Sequence, residues 1–307
     1  MSQKSNNFSI YFLIYLSFIF LCSVFYLYQK NLVGNDSTIS EWLINYQGGF
    51  TRRGLIGEIN FQIADYLNLS LRFVIFIFQS VIYFIYLILF YLYIKKLPKN
   101  ILTIIAIFSP VFLLYPIAEI EVLARKEIFL YVGFIIFLNL STNKFSKNTQ
   151  LIYVFTIFPI LCLIWEPFIF FYFFVFFIIL INNNNVSFKK ISLKIFLSFS
   201  SSILTTLYII MNLMSVEDHQ LMKDALMNNF GEACYMSCAL MSSKSSISEQ
   251  FFAVSNLFSA KIFFRYSLIV IISFLPLFIL LYNSKLKIKN IFFYKSKNLL
   301  IPFLILL

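Results

Sequence analysis

Two adjacent arginines lie at the centre of a glycine-rich stretch. The run Asn45–Glu58 contains Arg52 and Arg53, and four of the seven glycines of the chain lie within it. These glycines are Gly48, Gly49, Gly54 and Gly57. The planar guanidinium fork matches phosphate oxygens, and glycine N–H groups can add donors. The pattern predicts a shaped loop that binds a phosphate or diphosphate. The alternative is a re-entrant turn whose arginines reach lipid phosphates.

A second charged run, Arg125-Lys126-Glu127, could complete such a site. Its neighbours Glu119 and Glu121 allow ordinary ion pairing at a helix end, which stabilises a helix only slightly. If the run instead lies at membrane depth, it is a functional candidate, because ionisable groups are costly there. We predict that Arg125 and Lys126 are further phosphate contacts.

Two acids are candidates for acid–base chemistry. Glu166 is the only acid in the apolar stretch 151–181, and it precedes the helix breaker Pro167. An acid in apolar surroundings has a raised pKa unless a cation pairs with it. Glu58 follows the arginines closely. Either carboxylate could activate a hydroxyl group, although Glu166 could also be a simple hairpin tip.

Metal and disulfide chemistry find little support. Of the four cysteines, Cys22 and Cys162 fall inside apolar runs, whereas Cys234 and Cys238 lie four residues apart in a polar stretch. A disulfide between the last two is possible but is not predicted. A single histidine in a loop is typically solvated, so His219 is a weak candidate. We therefore predict no metal site and no cofactor.

The composition identifies the elements that must position these residues. Hydrophobic residues make up 61% of the 307 residues and charged residues 12%. Soluble domains carry about 45–50% apolar and about 25% charged residues. The chain is therefore predicted to be an all-α, polytopic membrane protein. Although the net charge is +11, the basic residues lie between apolar runs, which excludes a nucleic-acid-binding face.

The apolar runs predict about 8–9 membrane segments in a single integral membrane domain over residues 1–307. About 20 apolar residues cross a bilayer. The runs are 8–28, 71–94, 101–117, 128–140, 195–213, 262–282 and one that starts near 299. The stretch 151–181 is either one tilted helix or a broken hairpin that turns at Glu166. Because the last run is short, we expect the natural protein to continue beyond residue 307.

Charge favours the hairpin and sets the orientation. With a hairpin and a cytoplasmic N-terminus, the inner segments hold 14 lysines and no acid, as the positive-inside rule requires. The loops 29–70 and 214–261 then face outward. In the first of them, Leu55, Ile59, Ile63 and Leu67 recur every four residues, which predicts an amphipathic helix in the interface plane.

The run Asn45–Glu58, together with Arg125-Lys126-Glu127 and Trp165-Glu166, resembles multi-pass proteins encoded among bacterial surface-polysaccharide genes. These are similar to O-antigen polymerases and, more loosely, to the type C glycosyltransferase fold. The resemblance covers about residues 1–180, and Trp165 stands where that family has a histidine. It implies glycosyl transfer from a polyprenyl-diphosphate-linked oligosaccharide at the outer face of the bacterial inner membrane. Membrane lipid and other polysaccharide-assembly proteins would be partners.

Two functions follow as hypotheses. The first is a lipid-linked glycosyltransferase or polysaccharide polymerase. No motif for a nucleotide sugar occurs in the predicted inner segments, which favours a lipid-linked donor. The alternative is a transporter or flippase for a lipid-linked or anionic substrate, or a membrane scaffold subunit. Broken helices and buried charge pairs also mark transport sites, but no inverted repeat is evident.

Overall fold

The computed structural model describes residues 2–33, 37–97, 104, 107–108, 113–118, 120–123, 125–142, 147–182, 188–234, 238, 255 and 259–283. Within these residues all regular structure is helical, which confirms the all-α prediction for them. Most of the predicted segment 101–117, much of the loop 214–261 and the run near residue 299 lie outside the described residues.

The helices follow one another along the chain with short connections. They are α1 (Ser2–Leu32), α2 (Ser37–Leu43), α3 (Gly54–Leu67), α4 (Leu71–Ile94), α5 (Tyr115–Ala118), α6 (Ile120–Leu123), α7 (Ile128–Thr142), α8 (Lys147–Ile164), a 3₁₀ helix (Glu166–Phe171), α9 (Tyr172–Asn182), α10 (Phe188–Met211), α11 (Val216–Phe230) and α12 (Ala260–Asn283). Two compact units contain them. The first comprises Met1–Lys96 and Ile120–Ser242, and the second comprises Leu97–Glu119 and Ser243–Ile305, which carry α5 and α12.

Three helices in the described part of the chain are long and apolar enough to cross a bilayer. They are Phe8–Leu32, Leu71–Ile94 and Ser192–Met211. On α1, one face is buried in the bundle (Phe12, Leu16, Ile19 and Leu27) while large apolar side chains on the other face are exposed. An apolar outer face is what a helix needs when its surroundings are lipid. The count of eight to nine segments remains a prediction.

The chain breaks and reverses where Glu166-Pro167 interrupts the apolar stretch 151–181. α8 ends at Ile164, and the 3₁₀ helix begins at Glu166 with proline in its first turn. The rings of Phe158 and Tyr172 stack with centroids 5.5 Å apart. Fourteen residues of straight helix would separate them by about 21 Å, so the chain folds back here, as the broken-hairpin interpretation predicted.

The first unit packs its helices in sequence-neighbour pairs and through one long-range pair. α1 packs on α4, α4 on α7, α7 on α8, and α8 on α10. α2 and α3 pack on one another at one end of α4. This brings the connection between α2 and α3 close to the break between α8 and α9, because α3 also contacts α8.

Candidate functional site

The glycine-rich loop between α2 and α3 is tightly packed. A Cβ atom added at Gly57 would overlap the carbonyl oxygen of Ile44, and one added at Gly48 would overlap that of Asp218 in α11. At Gly54 the neighbour is the ring of Tyr46, whereas Gly49 has a φ of +116°. Three of the four glycines are therefore places of close approach, and Gly49 supplies a backbone conformation that other residues rarely adopt.

Glu58 is bonded to the loop from its position in the first turns of α3. Its carboxylate accepts hydrogen bonds from the backbone N–H of Tyr46 (2.9 Å) and from the side-chain amides of Gln47 (2.8 Å) and Gln62 (2.7 Å). Three donors stabilise the ionised form of this acid. The described contacts of Glu58 thus position the loop, and Glu166 is the acid that meets the arginines.

Arg53 is the pivot of the site. Its φ of 61° lies in the left-handed region, which is uncommon for a residue other than glycine, and it caps the start of α3. Its guanidinium donates two hydrogen bonds to Glu166, from Nε to Oε2 (2.8 Å) and from Nη2 to Oε1 (2.9 Å). This forked pairing joins two residues 113 positions apart and fixes the loop against the break in the hairpin.

Lys126 supports the backbone of Arg53 from below. Its Nζ donates to the carbonyl oxygen of Arg53 at 2.5 Å, and the lysine is fully buried. Burial lowers the pKa of this amine to about 7, while the Glu41 carboxylate opposes the shift. Lys126 therefore lies behind the arginine loop, where it holds the left-handed backbone in place.

Glu41 belongs to the site although the sequence analysis did not select it. It lies in α2, with Arg53 Nη1 at 3.6 Å and Arg125 Nη2 at 3.5 Å from its Oε1. The signal for it was local: Glu41 is followed by Trp42, Leu43 and Ile44, all of which are fully buried. An acid beside such a run is itself buried and needs a cation.

The remaining charges extend these pairs into one alternating row. Arg52 Nη1 lies 3.9 Å from Glu166 Oε1, and Arg125 Nε lies 3.1 Å from Glu127 Oε1. We call the set the charge cluster; its members are Arg52, Arg53, Arg125, Lys126, Glu41, Glu127 and Glu166. Burial raises the pKa of the Glu127 carboxyl, and the Arg125 charge opposes that shift.

The charge cluster has an accessible edge and a buried interior. The Arg52 and Arg125 side chains are 35% and 43% exposed, whereas that of Glu41 is 7% exposed. The Oε2 atoms of Glu41 and Glu127 are buried and have no hydrogen-bond partner among the described residues. The arrangement can therefore offer guanidinium donors to an anion at its edge and unsatisfied carboxylate oxygens to a hydroxyl group or a proton.

A second group of reactive side chains lies at α11. Cys234 and Cys238 form a disulfide. The expectation that His219 is solvated is wrong: it is buried, and its Nε2 lies 3.0 Å from the carbonyl oxygen of Cys238. The reason is that α11 packs over the glycine-rich loop, so that Met222 and Cys238 form a small core with Ile44.

Comparisons with protein-family models, with curated proteins and with solved structures gave no significant match for this chain.

Proposed function

We propose that the chain is a membrane-embedded glycosyltransferase or polysaccharide polymerase that acts on polyprenyl-diphosphate-linked sugars at the outer face of a bacterial inner membrane. The observation that carries the proposal is the charge cluster, in which three arginines converge on Glu41 and Glu166 beside a glycine-rich loop. Arginine forks recognise diphosphate oxygens, and a diphosphate is the leaving group of such a transfer.

The diphosphate enters at the exposed edge of the charge cluster. Arg52 and Arg125 are the partly exposed donors, and Arg53 is reached when phosphate oxygens replace the Glu166 carboxylate on its fork. Because Glu166 and a phosphate present similar oxygen geometry to a guanidinium, the exchange preserves the forked hydrogen bonds. Substrate binding thereby frees a carboxylate that was neutralised in the resting site.

The freed Glu166 then acts as the general base. The acceptor hydroxyl oxygen attacks the anomeric carbon, and its proton passes to the Glu166 carboxylate. The bond between the anomeric carbon and the diphosphate oxygen breaks, and its electron pair stays on that oxygen. Arg52, Arg53 and Arg125 stabilise the negative charge that develops there. Lys126 and Glu58 position this machinery, through the Arg53 carbonyl and the loop respectively.

A lipid-linked donor fits the surface beside the charge cluster. α3 begins directly after Arg53, and its side chains Ile59, Ile63 and Leu67 are exposed, while Tyr66 is 85% exposed. A helix with an outward apolar stripe lies in the membrane interface with that stripe among the lipids. Such a placement puts the arginines at the level of lipid headgroups, where a polyprenyl diphosphate presents its charge.

The test is a gene deletion with complementation, read by electrophoresis of surface glycolipid and polysaccharide. We expect the deletion to abolish long polymer while single repeat units are still exported. Arg53→Lys, which keeps the charge but loses the fork, should not restore polymer. The matched control is Arg72→Lys, because Arg72 pairs with Glu232 at 2.6 Å and lies outside the charge cluster.

Two results would overturn the proposal. Full polymer length with Arg53→Lys, expressed at the wild-type level, would remove the arginine fork from the mechanism. Accumulation of lipid-linked units on the inner leaflet of the deletion strain would identify a transporter of the same substrate instead. An unchanged polysaccharide profile would remove the substrate class altogether.

A further inference from the structure

Three soft or borderline ligand groups meet at the end of α11. The Sγ atoms of Cys234 and Cys238 and a ring nitrogen of His219 all lie within 4.8 Å of one another. The distance between Cys234 Sγ and His219 Nε2 is 3.8 Å. His219 and Cys238 are buried, and Cys234 is partly buried, so the group faces little competition from bulk water.

These separations suit a tetrahedral metal ion. Zinc binds thiolate sulfur at about 2.3 Å and imidazole nitrogen at about 2.0–2.1 Å. At the tetrahedral angle, two such ligands lie about 3.5–3.8 Å apart, which is the separation between Cys234 Sγ and His219 Nε2. We propose that His219, Cys234 and Cys238, once their disulfide is reduced, bind a zinc-class divalent cation, with solvent as the fourth ligand.

The disulfide and the metal exclude one another. A dithiol reductant transfers two electrons and two protons to the Cys234–Cys238 bond; the bond opens to two thiols, and the dithiol becomes a disulfide. The cation then replaces the two thiol protons, since thiolates are the metal ligands. Binding through Nε2 also replaces the present hydrogen bond between His219 and the Cys238 carbonyl oxygen. The same three residues are therefore a clip in oxidising surroundings and a metal site in reducing ones.

The fold keeps the ligands together in both states. His219 is on α11, which begins with a capping box between Ser215 and Asp218 and ends at Gly231 in the left-handed conformation. Met222 of the same helix packs with Ile44 and Cys238. Because this packing does not depend on the disulfide, reduction leaves the sulfur atoms close to the imidazole. The site needs only a short rearrangement around Cys234.

Cobalt titration of the full chain in detergent tests the proposal. After reduction with a phosphine and removal of metal, Co²⁺ should give the thiolate charge-transfer band and the intense visible bands of a tetrahedral site, saturating at one ion per chain. Zn²⁺ should then displace the cobalt and abolish both. His219→Ala should weaken the binding at least ~10-fold, which is the loss that even an outer-shell change causes.

Matched variants make the outcome decisive. The double variant Cys22→Ser/Cys162→Ser removes the other two thiols, which are free in the structure, and should keep the cobalt spectrum unchanged. Cys234→Ser should abolish the charge-transfer intensity of one thiolate. A wild-type spectrum in Cys234→Ser, tetrahedral cobalt bands in the unreduced chain, or no bands after reduction would each overturn the proposal. Circular dichroism of each variant separates loss of the site from loss of the fold.

Discussion

The pairing of Arg53 with Glu166 allows a quantitative test of the site. The two hydrogen bonds are 2.8 and 2.9 Å long, and the two side chains are 21% and 19% exposed. Losing one partner of a buried pair costs about 3–5 kcal/mol. Because both side chains retain some solvent and Glu41 remains 3.6 Å from Arg53, we expect Glu166→Gln to destabilise the protein by about 2–3 kcal/mol.

A double-mutant cycle isolates the interaction. The variants Arg53→Gln, Glu166→Gln and the double variant are unfolded by titration with a denaturing detergent in mixed micelles, and the free energies of unfolding are compared. Coupled contacts typically give about 0.5–3 kcal/mol, and a forked, charge-assisted pair should fall near the upper end. Inorganic pyrophosphate should lower this coupling energy, because the proposal has phosphate replace Glu166 on the fork. A coupling energy near zero would refute the assigned role of the pair.

Three further perturbations follow from the same geometry. Gly57→Ala should destabilise by about 1–3 kcal/mol, since its Cβ meets backbone, whereas Gly133→Ala, which meets only the flexible end of Leu161, should be nearly neutral in the same unfolding assay. Lys126 has a folded pKa of about 7, below its ordinary 10.5, so the unfolded chain binds more protons between these values; the melting temperature should rise with pH from about 7 towards 10, and Lys126→Met should flatten that rise. Glu41→Gln removes a negative charge from between Arg53 and Arg125 and should tighten pyrophosphate binding several-fold in calorimetry, an effect that 0.5 M salt should reduce; unchanged affinity would contradict it.

Membrane-scale features of the fold were accessible from the sequence. The helix α4 (Leu71–Ile94) has the predicted bounds, because a long apolar run has few alternatives to a helix in lipid. The break at Glu166 was also predictable, because Pro167 removes a backbone donor and restricts the residue before it. The outward stripe of α3 followed from four-residue spacing alone.

The pairings within the site were less accessible. Arg53 and Glu166 are 113 positions apart, and no local pattern states which helices become neighbours or at what height. Glu41 escaped notice because α2 is only seven residues long and lies within a predicted loop. Lys126 was predicted as a phosphate contact, yet its amine reaches the Arg53 carbonyl; only the crossing of the two segments reveals that direction.

The cysteine and histidine residues illustrate the same limit. Spacing alone left the Cys234–Cys238 bond open, and a lone histidine gave no reason to expect burial. Both outcomes depend on α11 packing against the glycine-rich loop, where Gly48 allows the backbone of Asp218 to approach. A contact between two segments about 170 residues apart decides whether His219 meets solvent or sulfur.

Reconstitution tests the central claim most directly. The purified chain, placed in liposomes with a labelled polyprenyl-diphosphate oligosaccharide, is assayed for longer products by gel electrophoresis. We predict elongation by the wild type and by Arg72→Lys, and a loss of about 10²–10³-fold with Arg53→Lys, the range seen when one donor to a developing oxyanion is removed. Elongation by Arg53→Lys at the wild-type rate, or movement of the labelled lipid between leaflets without elongation, would contradict the account.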